Sequence, residues 1–344
     1  MTLTAVATRA VERTPLPDSL TKLGVGYLVA RARKALATGP SAGDGAFAGE
    51  MAQRPIAENT LEANAQHYEV PAEFFRRVLG GRLKYSSCLY PTAETTLEEA
   101  EEAALAETCA HAALEDGQTI LELGCGWGSL SLWMAERYPL STITSVSNSN
   151  SQREFIQAKA KALRLTNLCV ITRDMNDFTP TRTYDRIVSV EMFEHMANWR
   201  ALLSKLVPAL EPEGRLFLHV FTHPDRAYRF ESADPDDFIA HHFFTGGIMP
   251  SHGLIRQFAD LAEVEQEWRW SGEHYRRTAL DWLANFDSHS AEIGTLFKRV
   301  YGADAALWKR RWRLFFLAVA GLFGDSDGNV WGVSHYRLRA ATRT

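Results

Sequence analysis

The chain has 344 residues and a mass of 38.5 kDa, and 46% of its residues are hydrophobic and 23% charged, which is typical of a globular core domain with or without a cap and excludes disordered and collagen-like chains. Its 37 basic and 42 acidic residues give a net charge of −5, so no overall positive charge attracts it to nucleic acid. Its cysteines, Cys88, Cys109, Cys125 and Cys169, lack the CxxC spacing of a zinc site and are typical of a reducing compartment.

The first predicted unit is an amino-terminal arm, residues 1–58. It mixes Ala, Gly, Arg and Pro around one helical stretch at residues 27–37 and a glycine-rich piece, GPSAGDGAFAG. This composition predicts a flexible, loosely attached segment. The arm contains no apolar run long enough for the core of a signal peptide, and we therefore expect a cytoplasmic protein.

A helical region, residues 59–115, is expected to cover the ligand site. Within it, Thr95 and Thr96 are followed three residues later by Glu98 and Glu99, which is the spacing of a capping box. The periodic segment after them predicts a helix over residues 100–114.

A strand–helix unit then repeats through the predicted core, residues 116–222. Strand-like runs lie at residues 119–123, 141–146, 168–172, 184–190 and 214–221, and helical spacing lies at residues 129–138, 152–163 and 198–206. This alternation predicts an α/β fold with a doubly wound, mostly parallel sheet. Ligands of such sheets bind beyond the carboxyl ends of the strands, so we expect the chemistry just after Leu123, Val146, Thr172 and Val190.

The pattern changes after residue 222. An aromatic and polar insertion, residues 223–260, predicts a cap over the substrate, and residues 261–344 predict a strand at 264–270, helices at 278–300 and 303–323, and a last strand at 330–338. The apolar run at residues 314–323 is shorter than the roughly 20 residues of a membrane span, which predicts a buried helix. The basic residues just before it leave an amphipathic helix on a membrane surface as the alternative.

The sequence LELGCGWGS at residues 121–129 places glycines where the first core strand ends. Gly124, Gly126 and Gly128 leave the backbone bare, so a ligand can approach the main chain closely. Their spacing differs from the GxGxxG of pyrophosphate-binding loops, which disfavours a phosphate ligand. Glu122 offers a carboxylate to an ammonium group. By the residues alone, a tightly packed turn stays an alternative.

These motifs resemble those of class I S-adenosylmethionine-dependent methyltransferases. ELGCGWG resembles their first motif, and YDRIVSVEMFEH and LEPEGRLF resemble later ones. The chain is most similar to the cyclopropane-fatty-acid synthase family, which includes the coclaurine-type N-methyltransferases. The segments that carry this resemblance, from about residue 64 to residue 338, are QHYEVPAEFF, LKYSSCLYP, SNSNSQREFI, VEMFEHM, HHFFTGGIMPS and GEHYRRT. The resemblance implies a Rossmann-like seven-stranded sheet and S-adenosylmethionine as the cofactor.

The resemblance also implies a set of cofactor-binding residues. Tyr85 and Ser86 match positions at the methionine portion, Gly124 and Gly126 the main-chain cradle, Ser147 and Gln152 the ribose side, and Asp174 and Met175 the adenine side, with Glu122 and Val190 completing the predicted site. By the residues alone, structural roles are favoured at most of these positions, such as a packing aromatic at Tyr85, a helix cap at Ser147 and a turn residue at Asp174.

Glu191, Glu194 and His195 follow the fourth core strand, in VEMFEHM, where we expect them to border the ligand cleft. An alkylamine is mostly protonated at neutral pH, so methylation of its nitrogen benefits from a base and from close positioning. A histidine titrates in the right range, and a carboxylate can hold the ammonium. A capped turn with a core histidine is the alternative, and the resemblance to the coclaurine-type enzymes implies that Glu194 and His195 are the catalytic pair.

The residues leave the nature of the methyl acceptor open. In the cyclopropane synthases of the family a cysteine in YSCAY helps to hold a bicarbonate, whereas this chain has Ser87 at that position and Cys88 one residue later. The other partners of that anion site, Glu194, His219 and Tyr275, are present, which keeps a lipid acceptor as an alternative.

The aromatic insertion suits a flat cationic amine, through stacking and cation–π contact, and it would equally suit an acyl chain. The predicted substrate-binding residues are Glu191, His219, Phe243, Phe244 and Tyr275. Adjacent His241 and His242 lack a third ligand at a useful spacing, so no metal is expected.

The sequence therefore predicts an S-adenosylmethionine-dependent N-methyltransferase whose partner is a small hydrophobic amine, aromatic or alkaloid-like. The first alternative is cyclopropanation or methylation of unsaturated lipid acyl chains. The second is a non-catalytic module that binds S-adenosylmethionine. The sequence leaves open whether the protein forms a homodimer.

Overall fold

The computed structural model of the chain describes residues 14, 16–39, 42–58, 70–230 and 238–342. The helices are α1 (Asp18–Thr38), α2 (Gly43–Met51), α3 (Ala72–Val78), α4 (Leu97–His111), α5 (Ser129–Arg137), α6 (Asn150–Ala162), α7 (Trp199–Leu206), α8 (Phe238–His242), α9 (Gly272–Ser288), α10 (Ser290–Tyr301) and α11 (Ala305–Phe323). The strands are β1 (Thr119–Leu123), β2 (Thr142–Ser147), β3 (Leu168–Thr172), β4 (Tyr184–Val190), β5 (Leu210–Thr222), β6 (Tyr228–Arg229), β7 (Ile248–Met249), β8 (Ala262–Ser271) and β9 (Gly332–Ala340). Most of the arm up to residue 15, residues 59–69 of the predicted covering region and residues 231–237 of the predicted cap lie outside the described residues.

The main sheet has seven strands in the order β3-β2-β1-β4-β5-β9-β8. The first five strands in this order are parallel, and β9 runs antiparallel to both of its neighbours. The predicted doubly wound α/β sheet is therefore confirmed. Because β2 and β4 lie on opposite sides of β1, the order reverses at β1, which is where such sheets bind their ligands.

Alternate residues of β1 enter different cores. Ile120 joins an apolar cluster with Leu105 and Trp133 on one face of the sheet, whereas Leu121 and Leu123 join a cluster on the other face. Successive side chains of a strand point to opposite faces, and helices cover both faces here. This explains why the strand is almost continuously apolar.

A third core lies beneath the cap and contains most of the large aromatic side chains. It is built by α3, α9, α10 and α11, and its fully buried members include Phe74, Trp282, Phe286, Trp312 and Phe316. The apolar run predicted as a buried helix lies in α11, whose residues Leu314, Leu317 and Phe323 pack into this core. Among the described helices, none is long and apolar enough to cross a membrane.

The arm differs from the loosely attached segment that the sequence predicts. Helix α2 begins within its glycine-rich piece and ends at Met51, which is fully buried. Helix α1 packs on α11, and Arg313 of α11 joins Asp18 of α1 to Asp287 of α9 through bidentate ion pairs. The composition predicted a loop because glycine is a poor helix former, and tertiary contacts override that preference.

Two helix boundaries can be compared directly with the predictions from the sequence. Thr96 and Glu99 form both arms of the predicted capping box at the start of α4. The helix predicted over residues 278–300 is instead divided into α9 and α10. The Ser288 hydroxyl donates to the carbonyl of Asn285, and Nδ1 of His289 lies 2.9 Å from the same oxygen, which competes with helix hydrogen bonds.

Candidate active site

A cavity of about 910 Å³ opens at the carboxyl ends of β1, β2 and β4. All of the residues predicted from the sequence as cofactor-binding, substrate-binding or catalytic line it, except Glu194 and His219. Those from the predicted cofactor site are Tyr85, Ser86, Glu122, Gly124, Gly126, Ser147, Gln152, Asp174, Met175 and Val190. Those from the predicted substrate and catalytic sets are Glu191, His195, Phe243, Phe244 and Tyr275.

The glycine loop forms one wall of the cavity. Gly124 has φ +79°, and a Cβ there would lie 2.6 Å from Cβ of Met192. Gly126 has φ +50°, and a Cβ there would meet no atom within 4 Å. The main chain is therefore packed from behind at Gly124 and open at Gly126, which leaves room for a ligand against the backbone.

Glu122 is buried at the base of this loop. Its Oε2 accepts hydrogen bonds from the hydroxyls of Ser131 and Ser145, the latter at 2.7 Å. Burial raises the pKa of Glu122 to about 6, and the two serine hydroxyls limit the rise. The carboxyl is therefore mostly ionised at neutral pH and places a negative charge beside the glycine loop.

The residues predicted for the ribose and adenine sides also make internal contacts. The Ser147 hydroxyl donates to Oε1 of Gln152 at 2.7 Å, while Ser149, not Ser147, caps α6. Oδ1 of Asp174 accepts from the backbone N–H of Asn176 at 2.8 Å, as in an Asx turn. Both features leave these side chains on the cavity wall in fixed orientations.

The carboxylate of Glu191 joins three parts of the chain. It accepts hydrogen bonds from the backbone N–H of Ser87 at 2.9 Å and from the Tyr275 hydroxyl at 2.7 Å, and its Oε1 lies 3.2 Å from Nε2 of His219. Glu191 has φ +47°, a left-handed conformation that is rare outside glycine and is often found at functional sites. Burial raises the pKa of Glu191, and the positive charge of Lys84 opposes that rise.

Glu194 does not border the cavity, contrary to the expectation from the sequence. It is fully buried, and its Oε1 accepts from the backbone N–H of Phe221 at 2.7 Å. Its Oε2 has no hydrogen-bond partner among the residues that the structure describes. Burial, and then the charge of Glu191, raise the pKa of Glu194 well above its usual value. The sequence analysis grouped Glu194 with His219 and Tyr275, whereas in the structure Glu191 is the carboxylate that contacts both of these side chains.

The physical reason is the backbone after β4. The left-handed residue at Glu191 turns the chain, and Phe193–His195 then form one turn of 3-10 helix. The turn directs Glu194 toward the backbone of β5 and His195 toward the cavity.

His195 lies against an aromatic wall. Its ring centroid is 4.4 Å from that of Phe244, which in turn lies 4.9 Å from the ring of Phe230 and 5.5 Å from that of Phe221. Phe243 also lines the cavity but is fully buried, and it stacks on Phe315 at 4.4 Å. A flat apolar ligand placed here would therefore meet ring faces and edges next to an imidazole.

The structure adds residues that the sequence analysis missed. Residues of α1 and α11, among them Tyr27 and Phe315, line the cavity, although neither helix contains a binding motif. Lys84 is buried beside the site, where its ammonium donates to the hydroxyl of Ser86 and the carbonyl of Ser87, both at 2.6 Å. Because Lys84 directly precedes the YSS motif, the sequence contained a signal that could have identified it as part of the site. No group of three or more His, Cys, Asp or Glu side chains arranged to hold a metal ion occurs in the described ranges.

The chain is similar to several known proteins. Residues 57–333 match the protein family described as mycolic acid cyclopropane synthetase. The chain is 37% identical to (S)-coclaurine N-methyltransferase of Thalictrum flavum subsp. glaucum over 290 residues, which are 83% of this chain and 80% of that protein. It is 30% identical to cyclopropane-fatty-acyl-phospholipid synthase of Escherichia coli K12 over 270 residues, 78% of this chain and 66% of that protein.

The fold is also similar to a crystal structure of coclaurine N-methyltransferase bound to N-methylheliamine and S-adenosylhomocysteine. The two structures superpose with a TM-score of 0.90 at 33% sequence identity, over 96% of this chain and 98% of the other.

Proposed function

Because the chain belongs to the mycolic acid cyclopropane synthetase family and is an S-adenosylmethionine-dependent methyltransferase, we propose that it transfers the methyl group to the nitrogen of a small hydrophobic, aromatic or alkaloid-like amine. The observation that carries this proposal is the position of His195: it lines the same cavity as Glu191, and its ring centroid lies 4.4 Å from that of Phe244. A protonated aromatic amine needs a base to remove its proton, an anion to balance its charge and an aromatic surface to hold its ring.

The glycine loop fits S-adenosylmethionine, since a Cβ at Gly126 would point into open space, where a ligand can lie on the main chain. We assign the methionine portion to Tyr85, Ser86 and Glu122. The ribose is assigned to Ser147 and Gln152, and the adenine to Asp174, Met175 and their neighbours on the cavity wall. When bound, S-adenosylmethionine supplies the electrophilic methyl group.

The chain's own residues prepare the amine. In this proposal, Glu191 holds the ammonium by charge and hydrogen bonding, and Tyr275 and Ser87 hold Glu191 in place. A ring nitrogen of His195 accepts one proton from the ammonium, which frees the lone pair for attack. Base catalysis of this kind contributes about 10²- to 10⁴-fold. Phe244 and Phe230 exclude water and orient the ring system of the amine.

Glu194 has a different part. Since its carboxyl bonds the backbone N–H at Phe221, we propose that it is a positioning residue that fixes the end of β5 against the turn carrying His195. Burial raises the pKa of Glu194 and so favours its neutral form, and the side chain does not border the cavity, so we assign the pairing with the ammonium to Glu191 instead.

The direct test supplies S-adenosylmethionine with a labelled methyl group together with a benzylisoquinoline, a phenethylamine or vesicles of unsaturated phospholipid. We expect label in an amine and none in the phospholipid. His195→Ala should lose about 10²-fold in kcat/KM or more, while His289→Ala, at the end of α9 and outside the cavity, should retain the wild-type rate.

Two results would count against the proposal. Label only in the phospholipid would establish the lipid alternative, which the similarity to the Escherichia coli synthase keeps in view. Cofactor binding without label in any acceptor would establish the non-catalytic alternative.

We propose that the activity is cytoplasmic, and the four free cysteines support this location. Cell fractionation with a cytoplasmic marker tests this location.

A further inference from the structure

A continuous row of imidazoles leads from the cavity to the protein surface. Nε2 of His219 lies 3.2 Å from Oε1 of Glu191, and Nδ1 of His219 lies 2.8 Å from Nε2 of His335. Nδ1 of His335 lies 2.7 Å from Nδ1 of His111, and Nε2 of His111 lies 3.0 Å from Oε1 of Glu107. We refer to His219, His335 and His111 as the histidine row.

The sheet itself builds this row. His219 on β5 and His335 on β9 are directly paired across the antiparallel ladder, and the backbone N–H of Glu191 donates to the carbonyl of His219. His111, in the last turn of α4, reaches the sheet from above and stacks on the ring of Trp268 at 3.8 Å. Each imidazole is therefore held on two sides, and its orientation is determined by rigid elements.

Exposure rises from His219 toward the surface end of the row. The side chains of His219 and Glu191 are 0% and 9% exposed, and His335 is fully buried. The side chain of His111 is 10% exposed and that of Glu107 is 43% exposed. Glu107 thus marks the solvent end, and the other end is at the cavity wall.

The inner rings have the protonation state that a proton path requires. Burial lowers the pKa of His219 and of His335 well below the usual value, so both are neutral. A neutral imidazole donates through one ring nitrogen and accepts at the other. The row therefore has two complete hydrogen-bonding patterns, one with each ring donating toward the surface and one with each ring donating toward Glu191.

We propose that the histidine row carries a proton from Glu191 to the surface when a cation binds in the cavity, and returns it when the cation leaves. On binding, the Glu191 carboxyl gives its proton to Nε2 of His219, and the Nδ1 proton of His219 moves to Nε2 of His335. The Nδ1 proton of His335 moves to Nδ1 of His111. The imidazolium formed there lies beside the carboxylate of Glu107 and releases its Nε2 proton to water. The reverse shifts restore the resting state, so no ring has to turn over between cycles.

The driving force is the charge of the ligand. Burial favours the protonated form of Glu191, whereas a positive charge brought into the same cavity favours the carboxylate. The ligand also covers the exposed part of Glu191, and the histidine row is then a path for its proton that does not cross the cavity. His335 and His111 do not line the cavity, so they act on ligand binding only through Glu191.

Other charged groups face the two ends of the row. Lys84 favours the ionised form of Glu191, and burial opposes it. At the surface end, Arg337 donates to the carbonyl of His111 at 3.3 Å and opposes its protonation, whereas Glu107 favours it. Within the described part of the chain, the ring nitrogens of His219 and His335 bond to Glu191 and to the other imidazoles, so these charges adjust the equilibrium without interrupting the path.

The test uses S-adenosylmethionine and S-adenosylhomocysteine, which differ by the methyl group and by one positive charge, and it requires no amine acceptor. Stopped-flow mixing in weak buffer follows binding by tryptophan fluorescence, since Trp127 lines the cavity, and follows proton release with a pH indicator. We expect S-adenosylmethionine to release about one proton more than S-adenosylhomocysteine, in step with binding. Glu191→Gln should abolish this difference.

Replacing one imidazole of the histidine row should separate the fluorescence signal of ligand binding from the indicator signal of proton release. In His335→Gln, and in His111→Gln at the less buried end, binding should keep its rate while proton release slows by roughly 10²-fold. His252→Gln is the matched control, because His252 hydrogen-bonds Ser334 and Tyr336, the neighbours of His335 on β9, and lies outside the row. It should leave both signals unchanged.

Two outcomes would overturn the inference. One is equal proton release with the two ligands in the wild-type protein. The other is proton release that stays in step with binding in both row variants. If His335→Gln does not fold, the His111→Gln variant decides the test. A failure of the amine assay would not affect this test, because neither ligand is an amine acceptor.

Discussion

Alanine at Gly124 should destabilise the fold, whereas alanine at Gly126 should weaken cofactor binding. Both residues have positive φ, at +79° and +50°, and an alanine in this region costs about 1–2 kcal/mol. Only at Gly124 does the new methyl overlap packed atoms, with Cβ of Met192 at 2.6 Å. Overpacking of this kind adds about 1–3 kcal/mol.

We therefore expect Gly124→Ala to lower the free energy of unfolding by about 2–5 kcal/mol and Gly126→Ala by about 1–2 kcal/mol. The methyl of Gly126→Ala points into the space proposed for the ligand, so the affinity for S-adenosylhomocysteine should fall by at least about ten-fold, which corresponds to about 1.4 kcal/mol. Gly126→Val, which is larger and branched, should abolish binding.

Urea unfolding followed by circular dichroism gives the stability change, and isothermal titration calorimetry gives the affinity. The reasoning is refuted if the two alanine variants lose equal stability, or if Gly126→Ala binds S-adenosylhomocysteine as tightly as the wild-type protein. Gly49, in α2, lies outside the cavity, and a Cβ there would meet no atom within 4 Å, so Gly49→Ala is the control for both measurements.

Three further predictions follow from the charged groups. Because burial raises the pKa of Glu122 from 4.5 to about 6, its ionisation should lower wild-type stability by about 2 kcal/mol in total as the pH rises from about 3.5 to about 7. Urea unfolding across this range should show a loss in Glu122→Gln that is smaller by this amount. Arg313→Ala should lower the free energy of unfolding by at most about 1 kcal/mol. It should increase hydrogen exchange in α1, because it removes the ion pair between Arg313 and Asp18. Unchanged exchange in α1 would contradict the idea that this ion pair holds α1 against α11. Glu194→Gln should retain most of the methyl transfer at pH 7, since the amide oxygen can accept the hydrogen bond from the backbone N–H of Phe221, whereas Glu194→Ala should lose it. A loss of about 10²-fold or more in Glu194→Gln would restore Glu194 as the base.

The order of helices and strands was predictable because it depends on local patterns. The apolar runs of β1 to β5, the capping box at Thr96 and the glycines after Leu123 are all read within a few residues. The boundary between α9 and α10 was missed, since it depends on side chains of Ser288 and His289 folding back on Asn285 within an otherwise helical pattern. The packing of α1 was missed for another reason: its partner α11 follows it by more than two hundred residues.

The sequence by itself determined the α/β sheet, the glycine cradle and the presence of acidic and imidazole groups after β4, because strand periodicity and short motifs are encoded by neighbouring residues. Only the tertiary structure decided that Glu191 and His195 face the cavity while Glu194 faces β5, since that choice depends on a single left-handed residue and on the strand beside it. The tertiary structure alone also aligned His219, His335 and His111, which are separated by 116 and 224 residues along the chain. Contacts over such separations are produced by strand pairing and helix packing, and no local pattern contains them.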